Sequence, residues 1–172
     1  MKQIEVFMDY ACPFCSKGWR MLLPLLPDYP NAEIVWRLCE ASPRPEDGSP
    51  DESHGKHSDL CIQAAFYAAD QGVDMIGFHD KMYYRYHKEK LDVEDIETLV
   101  GALTDLVDPD GLRDALVSGK YRQALKDAND YAYNRAGVYI IPAFRMGGHK
   151  LDSAAMIGVT QEQIKDFLNL TR

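Results

Sequence analysis

The 172-residue chain has no run of about 18 apolar residues, so no membrane-spanning helix is expected. Basic charge is also in short supply. Nineteen Lys and Arg stand against 27 Asp and Glu, a net charge of −8, which repels phosphate backbones and anionic lipid surfaces and makes nucleic acid and membranes poor partners. Internal repeats and low-complexity tracts are absent. No export leader is apparent either: Met1 to Met8 already read as a strand, and the cytoplasm is the expected compartment. Only four cysteines are present, and a chain of this length buries a core without disulfide staples. In a reducing compartment such cysteines are catalytic, metal-bound or inert more often than they are cross-links. What is present is ordinary for a globular protein, with 46% hydrophobic and 27% charged residues.

Ile4, Val6 and Met8 alternate with Glu5, Phe7 and Asp9, the period of a strand, and Asp9-Tyr10-Ala11 turns into Cys12-Pro13-Phe14-Cys15. A helix is predicted from there, because Pro13 suits a first helical turn and Trp19, Leu22, Leu23 and Leu26 continue an apolar face; Pro24 should kink or shorten it. Glu33 to Cys39 is rich in β-branched and aromatic residues and completes a βαβ unit. Between Ser42 and Ser58, Pro43, Pro45, Pro50 and several Asp, Gly and Ser residues mark an excursion rather than a core element.

The next stretch has helical period, seen in Leu60, Ala64, Ala65 and Ala68, in Met75, Phe78, Met82 and Tyr86, and in Ile96, Leu99, Val100, Leu103 and Val107. A shorter piece at Leu112 to Leu116 and a helix marked by Tyr121, Leu125, Ala128 and Tyr131 follow. Val138 to Met146 then reads as a strand, Gly147-Gly148 as a hairpin turn and His149 to Leu151 as the returning strand; Thr160 and Gln163 form a capping box for a last helix. The predicted architecture is an α/β thioredoxin fold, β-α-β then β-β-α, over residues 1–50 and 119–172, with a helical insertion at 51–118.

Cys12 and Cys15 are the residues with chemistry. Two thiols three apart at a helix start close a disulfide ring without breaking the helix. A free cysteine of pKa about 8.5 is only about 3% thiolate at pH 7, and a lowering of two units, which takes about 2.7 kcal/mol, raises the attacking species about thirtyfold. A helix dipole contributes about 0.3 to 1 kcal/mol, so N–H and S–H groups, those of Cys15 among them, must hydrogen-bond the Cys12 sulfur. Cys12 is therefore predicted exposed and Cys15 more buried. Pro13 withholds one N–H donor and Phe14 offers an apolar face beside the sulfur. Ile141-Pro142 is the second signal, because a proline opening a strand forfeits a ladder hydrogen bond and leaves room for an extended substrate backbone.

Asp9-Tyr10-Ala11-Cys12-Pro13-Phe14-Cys15, the long helical interruption, and Ile141-Pro142-Ala143-Phe144 before a Gly-Gly hairpin resemble the DsbA-like thioredoxin family across essentially the whole chain, and the Asp-x-x-Cys-Pro-aromatic-Cys form resembles its FrnE-like branch of dithiol oxidoreductases and disulfide isomerases. The resemblance implies a nucleophilic Cys12, a resolving Cys15 and a cis-proline at Pro142 facing them. Pro13, Phe14, Ile141 and Pro142 are then the substrate-binding residues, and protein or small-molecule thiols and disulfides the partners. The redox-active Cys12–Cys15 pair needs no further cofactor, with glutathione as a co-substrate. Two other readings stand beside it. Glutathione-dependent isomerases and kappa-class transferases share the broad fold but typically carry serine at the position of Cys12 and lack the second thiol. A non-enzymatic peptide-binding module would hold clients on the helical insertion.

The remaining signals have plainer readings. Cys39 and Cys61 are a second pair or, more simply, small buried hydrophobes. Their wide separation in sequence speaks against a four-thiolate zinc site, and no metal is expected. His54 and His57 fall in a Pro/Gly/Ser-rich segment and read as a solvated loop. Tyr83 to Lys88 reads as a helix with one buried and one wet face, and Met75 and Met82 as core.

Overall fold

The computed structural model describes residues 1–172 and divides them into two compact units, one of Met1–Cys39 with Ala128–Arg172 and one of Glu40–Asp127. The sequence places the insertion at 51–118; the helical unit starts earlier and ends later. The Pro-rich excursion belongs to it, because that segment is tied to its helices by side-chain bonds described below.

The first unit holds β1 (Lys2–Met8), α1 (Pro13–Leu22), a 3-10 segment (Leu23–Asp28), β2 (Ala32–Leu38), β3 (Ala143–Met146), β4 (His149–Asp152) and α7 (Gln161–Asn169). Sheet order is β2-β1-β3-β4, with β2 parallel to β1 and β3 antiparallel to both β1 and β4. This is the thioredoxin arrangement, β-α-β followed by β-β-α. The strict alternation expected of β1 fades at its end, where Val6, Phe7 and Met8 are all buried, because a central strand is covered on both faces. α1 packs against α7. Its buried Cys15, Trp19 and Leu22 recur at helical spacing, and burial of a leucine such as Leu22 contributes about 1.5–3 kcal/mol. Pro24 ends α1 as expected, since the chain tightens into the 3-10 segment right after Leu22. On the other sheet face Tyr131 stacks on Phe7 and donates its hydroxyl to Glu5, 2.7 Å away.

The strand predicted for Val138–Met146 is shorter than expected. Residues 138–142 are a loop that runs into β3, with a cis Ile141–Pro142 bond. The loop is held by Arg145, only 6% exposed, whose guanidinium donates to the carbonyls of Ala136 and Gly137, both at 3.0 Å, and to the Asp152 carboxylate at 2.7 Å. The capping box of α7 forms as predicted between Thr160 and Gln163.

In the second unit α2 (Asp59–Asp70), α3 (Met75–His87), α4 (Ile96–Ala102) and α5 (Pro109–Ser118) pack around Ile62, Phe78, Met82, Leu99 and Leu112, and α6 (Arg122–Asp130) follows. Asp74, Asp95 and Asp108 each accept N–H bonds from the first turn of the helix they precede, which fixes where α3, α4 and α5 begin. α4 stops at Ala102, short of the predicted extent, although Leu103 and Val107 remain buried in the turns after it. Met82 is core, and Tyr83 is buried while Tyr84 is exposed, as the amphipathic reading requires.

The Pro-rich excursion is more ordered than its composition suggests. His54 is exposed as expected, but His57 is only 5% exposed, with Nε2 2.6 Å from Asp51 Oδ2 and Nδ1 3.0 Å from the Ser42 carbonyl. Arg44 pairs with Asp59 and Glu94, and Lys56 with Asp92. No composition signal distinguishes His57 from His54; a long-range ring of acceptors does.

Two measurements follow from these contacts. Arg145→Met takes a donor from the carbonyls of Ala136, Gly137 and Phe144 and from the Asp152 carboxylate, and should lower stability by about 2–4 kcal/mol in urea unfolding. For His57, burial works against the imidazolium, but the Asp51 carboxylate and the Ser42 carbonyl outweigh it and raise its pKa above the ordinary value. A raised folded-state pKa stabilises the fold below the unfolded value of about 6.5 and loses that contribution as the pH climbs through the folded value. Unfolding midpoints should therefore fall across that window in the wild type, and His57→Gln should flatten the step.

Candidate functional site

β1 delivers the chain to a tight turn. The Asp9 carboxylate, buried at the strand end, accepts the Ala11 N–H at 3.0 Å, and the Cys12 N–H returns to the Asp9 carbonyl at 3.3 Å. The turn leaves Cys12 with extended backbone, φ −81° and ψ 117°, as the N-cap of α1. Its sulfur stands where a Ser or Asp oxygen ordinarily caps a helix and accepts the Cys15 N–H at 3.3 Å. Pro13 occupies the first helical position, where no N–H is needed. The first turn carries no acidic side chain to offset the positive end of the helix at the sulfur.

The two thiols are free and are pushed in opposite directions. The Cys15 thiol holds the Cys12 pKa below the ordinary thiol range; burial opposes this, the N–H groups of Cys15 and Phe14 assist it, and the Asp9 carboxylate opposes it. Cys15, fully enclosed, is pushed well up by burial and by the Cys12 sulfur beside it. Cys12 is less open than the sequence suggests. It is 9% exposed against 1% for Cys15, so the predicted order holds but the predicted exposure does not. Its sulfur lies 3.9 Å from the Ile141 carbonyl, which closes over it.

Ile141 and Pro142 are thus beside the thiols, 129 residues along the chain from Cys12. Pro142 also packs closely on α1: a Cβ on Gly18 would stand 3.0 Å from its ring and force the ring to shift by a few tenths of an ångström. The Pro142 carbonyl accepts the Ser153 hydroxyl at 2.6 Å. Phe14 lies against Gly158, where a Cβ would meet the ring at 3.2 Å, and the φ of +82° at Gly158 suits glycine. All the predicted site residues, Cys12, Pro13, Phe14, Cys15, Ile141 and Pro142, therefore gather at one end of the sheet.

Several residues here were not singled out for a role. Ser153, Gly18 and Gly158 shape the loop opposite the thiols, and nothing in their local sequence announces it. Beneath the site lies Tyr133, whose hydroxyl is raised far above its usual pKa by burial and by Cys39, to which it hydrogen-bonds, with Asp9 and Cys15 adding to the effect. Cys39 is a buried thiol in this layer and Cys61 a buried thiol of the helical unit, and the two are not joined in a disulfide. No group of three or more His, Cys, Asp or Glu is arranged to hold a metal ion, and no helix is long and apolar enough to cross a membrane.

Known proteins resemble the chain over its full length. The Bacillus subtilis protein YwbO is 22% identical over 194 aligned positions, covering 95% of this chain and 96% of the relative. Among solved structures, a probable DsbA oxidoreductase from Streptomyces coelicolor superposes with a TM-score of 0.79 at 16% identity, over 99% of this chain and 90% of that one. The cytosolic disulfide reductase DsbM from Pseudomonas aeruginosa gives a TM-score of 0.66 at 14% identity, over 98% and 97%, and has also been solved with GSH. A family model described as the DSBA-like thioredoxin domain matches residues 3–169, and the chain belongs to that family.

Proposed function

We propose that the protein is a dithiol–disulfide oxidoreductase in which Cys12 is the nucleophile and Cys15 the resolving thiol. One observation carries this reading: the sulfur of Cys12 caps a helix and accepts the Cys15 N–H, so that of two adjacent thiols one is drawn toward the thiolate and the other held protonated. A thiolate is the attacking species in disulfide exchange, and a protonated partner cannot compete with it for substrate.

In the reducing direction, the Cys12 thiolate attacks one sulfur of a substrate disulfide. A Cys12–substrate mixed disulfide forms and the second substrate sulfur leaves as thiolate. Cys15 then gives up its proton and attacks the Cys12 sulfur; the bound substrate sulfur leaves and takes a proton, and the protein ends as the Cys12–Cys15 disulfide. The substrate has gained two electrons and the protein has lost two. Run backwards, the same steps oxidise a substrate dithiol. The Ile141 carbonyl, 3.9 Å from the Cys12 sulfur, and the Phe14 ring, seated against Gly158 in the first turn of α1, hold the chain that carries the substrate sulfur, Ile141 through its main chain and Phe14 through apolar contact. Pro142 sets the end of that wall against α1.

Substrates are protein or small-molecule thiols and disulfides, and glutathione is the proposed small co-substrate, a choice supported by the complex of the Pseudomonas reductase with GSH. Retention of both thiols favours this chemistry over a glutathione-dependent isomerase, which needs no resolving cysteine.

Cys12→Ser should abolish the protein's acceleration of insulin reduction, leaving only the rate of dithiothreitol alone, since it removes the nucleophile. Cys15→Ser should instead accumulate a mixed disulfide visible by mass spectrometry; full turnover by Cys12→Ser would overturn the assignment. The pH profile supplies a second test. Alkylation of the reduced protein should label Cys12 alone, with a midpoint below the ordinary thiol value, and Cys15 should stay unlabelled until far higher pH. Because its folded pKa is lowered, Cys12 stabilises the reduced fold above the ordinary thiol pKa, and that contribution should fade as the pH drops through the lowered value.

A further inference from the structure

β2 is an edge strand. Sheet order places it outermost, with β1 as its only strand neighbour. The other edge, β4, is short and mostly exposed, and carries Lys150, the usual protections of an edge against further pairing. β2 has neither protection. It is seven residues long, contains no proline or lysine, and presents Ile34, Val35 and Trp36 in succession, each half-buried.

The charges on this strand are arranged about its centre. Glu33 and Arg37 are both exposed, opposite in sign, and each two residues from Val35. We propose that β2 pairs with β2 of a second copy of this chain, antiparallel and centred on Val35. In that register Glu33 faces Arg37 of the other copy twice over, Ile34 faces Trp36 twice over, and Val35 meets itself on the two-fold axis. Such isologous pairing is the usual basis of a closed dimer. Opposite-charge pairs and aromatic–β-branched pairs directly across a ladder each contribute about 0.2–1 kcal/mol.

Backbone parity agrees. The Asn31 carbonyl and the Cys39 N–H are bonded to β1, so odd-numbered residues turn their backbone groups inward and even-numbered ones, Ile34 among them, turn theirs to the outer edge. Registers that keep this parity but shift the centre do worse. Moving it to Ile34 or Trp36 sets both charges opposite neutral residues, and moving it two residues to Glu33 or Arg37 sets like charges face to face. The sequence of the edge thus selects one register. Arg37 already meets Glu5 at 2.8 Å and stacks over Tyr131, which holds its guanidinium in place for a second carboxylate. In the resulting eight-stranded sheet the two Cys12 loops lie at opposite ends, since each follows the end of a β1 strand that runs parallel to its own β2.

Sedimentation equilibrium of the full chain over a wide concentration range tests this, at an ionic strength where the screening length is about 8 Å, so that the net charge of −8 does not mask the pairing. The wild type should show a mass rising with concentration from 19.5 kDa toward twice that value. Glu33→Arg, which sets Arg against Arg37, should raise the dimer dissociation constant by at least roughly tenfold. Ile34→Pro, which removes an outward N–H and leaves the β1 ladder intact, should do the same. The charge swap E33R/R37E should pair more tightly than Glu33→Arg, while falling short of the wild type because it removes the Arg37–Glu5 ion pair and sets a second carboxylate beside Glu5. A wild type that stays monomeric throughout, or a dimer indifferent to both Glu33→Arg and Ile34→Pro, overturns the proposal. Thermal melts of each variant separate loss of pairing from loss of fold.

Discussion

A sulfur atom serves as the N-cap of a helix, and the rest of the site follows from that placement. An ordinary cap satisfies orphan N–H groups with a neutral hydroxyl or a carboxylate. Here the acceptor is Cys12, so the hydrogen bonding that starts α1 also favours the charged form of its sulfur. Structural and chemical roles coincide in one contact. The same contact fixes Cys15 one turn along, inside the protein, where ionisation is opposed by burial and by the neighbouring sulfur. Unequal thiols are therefore a consequence of where the helix begins, with no need for a dedicated base.

That arrangement depends on close approach by distant chain. Pro142 packs closely on α1 at Gly18, Phe14 is seated because residue 158 is glycine in a left-handed conformation, and Ser153 ties the Pro142 carbonyl to the segment after β4. Arg145 does the larger-scale version of the same work by satisfying carbonyls on the incoming loop. Each is a small residue or a single polar group whose effect is felt through another residue. Such positions shape a site without touching the reacting atoms.

Much of this was legible in the sequence because local rules and the global fold agree. The β-α-β start, the Gly-Gly hairpin and the capping box all rest on short-range signals, and the approach of the Ile141-Pro142 step to Cys12 rests on resemblance over the whole chain. The departures are long-range. Residues 138–142 have strand composition but form a loop, because ladder pairing is available only from Ala143 onward. His57 lies in a segment that reads as solvated but is enclosed by Asp51 and Ser42. Cys12 is more enclosed than a nucleophile's role suggests, because the Ile141 carbonyl, 129 residues away, lies over it. Tyr133 gave no signal, since a tyrosine in a helical pattern looks the same whether or not a thiol waits beneath it.

The balance of charges around the thiols bears on the direction in which such a pair would run. Every unit by which the Cys12 pKa is lowered stabilises the reduced form by about 1.4 kcal/mol at pH values above that pKa, equivalent to about 30 mV in a two-electron couple, and so makes the disulfide more oxidising. Asp9 acts the other way. Its buried carboxylate raises the pKa of both thiols and so works against the reduced, ionised state. The Asp9 side chain is also what shapes the turn, through the Ala11 N–H, so the residue that positions Cys12 as a helix cap is the one that restrains its acidity. A neutral residue that kept the turn would leave burial alone to oppose the Cys15 thiol, the N–H groups and the helix, and would shift the pair toward a stronger oxidant; the end of β1 thus contributes to the poise of the site alongside the two residues between the cysteines.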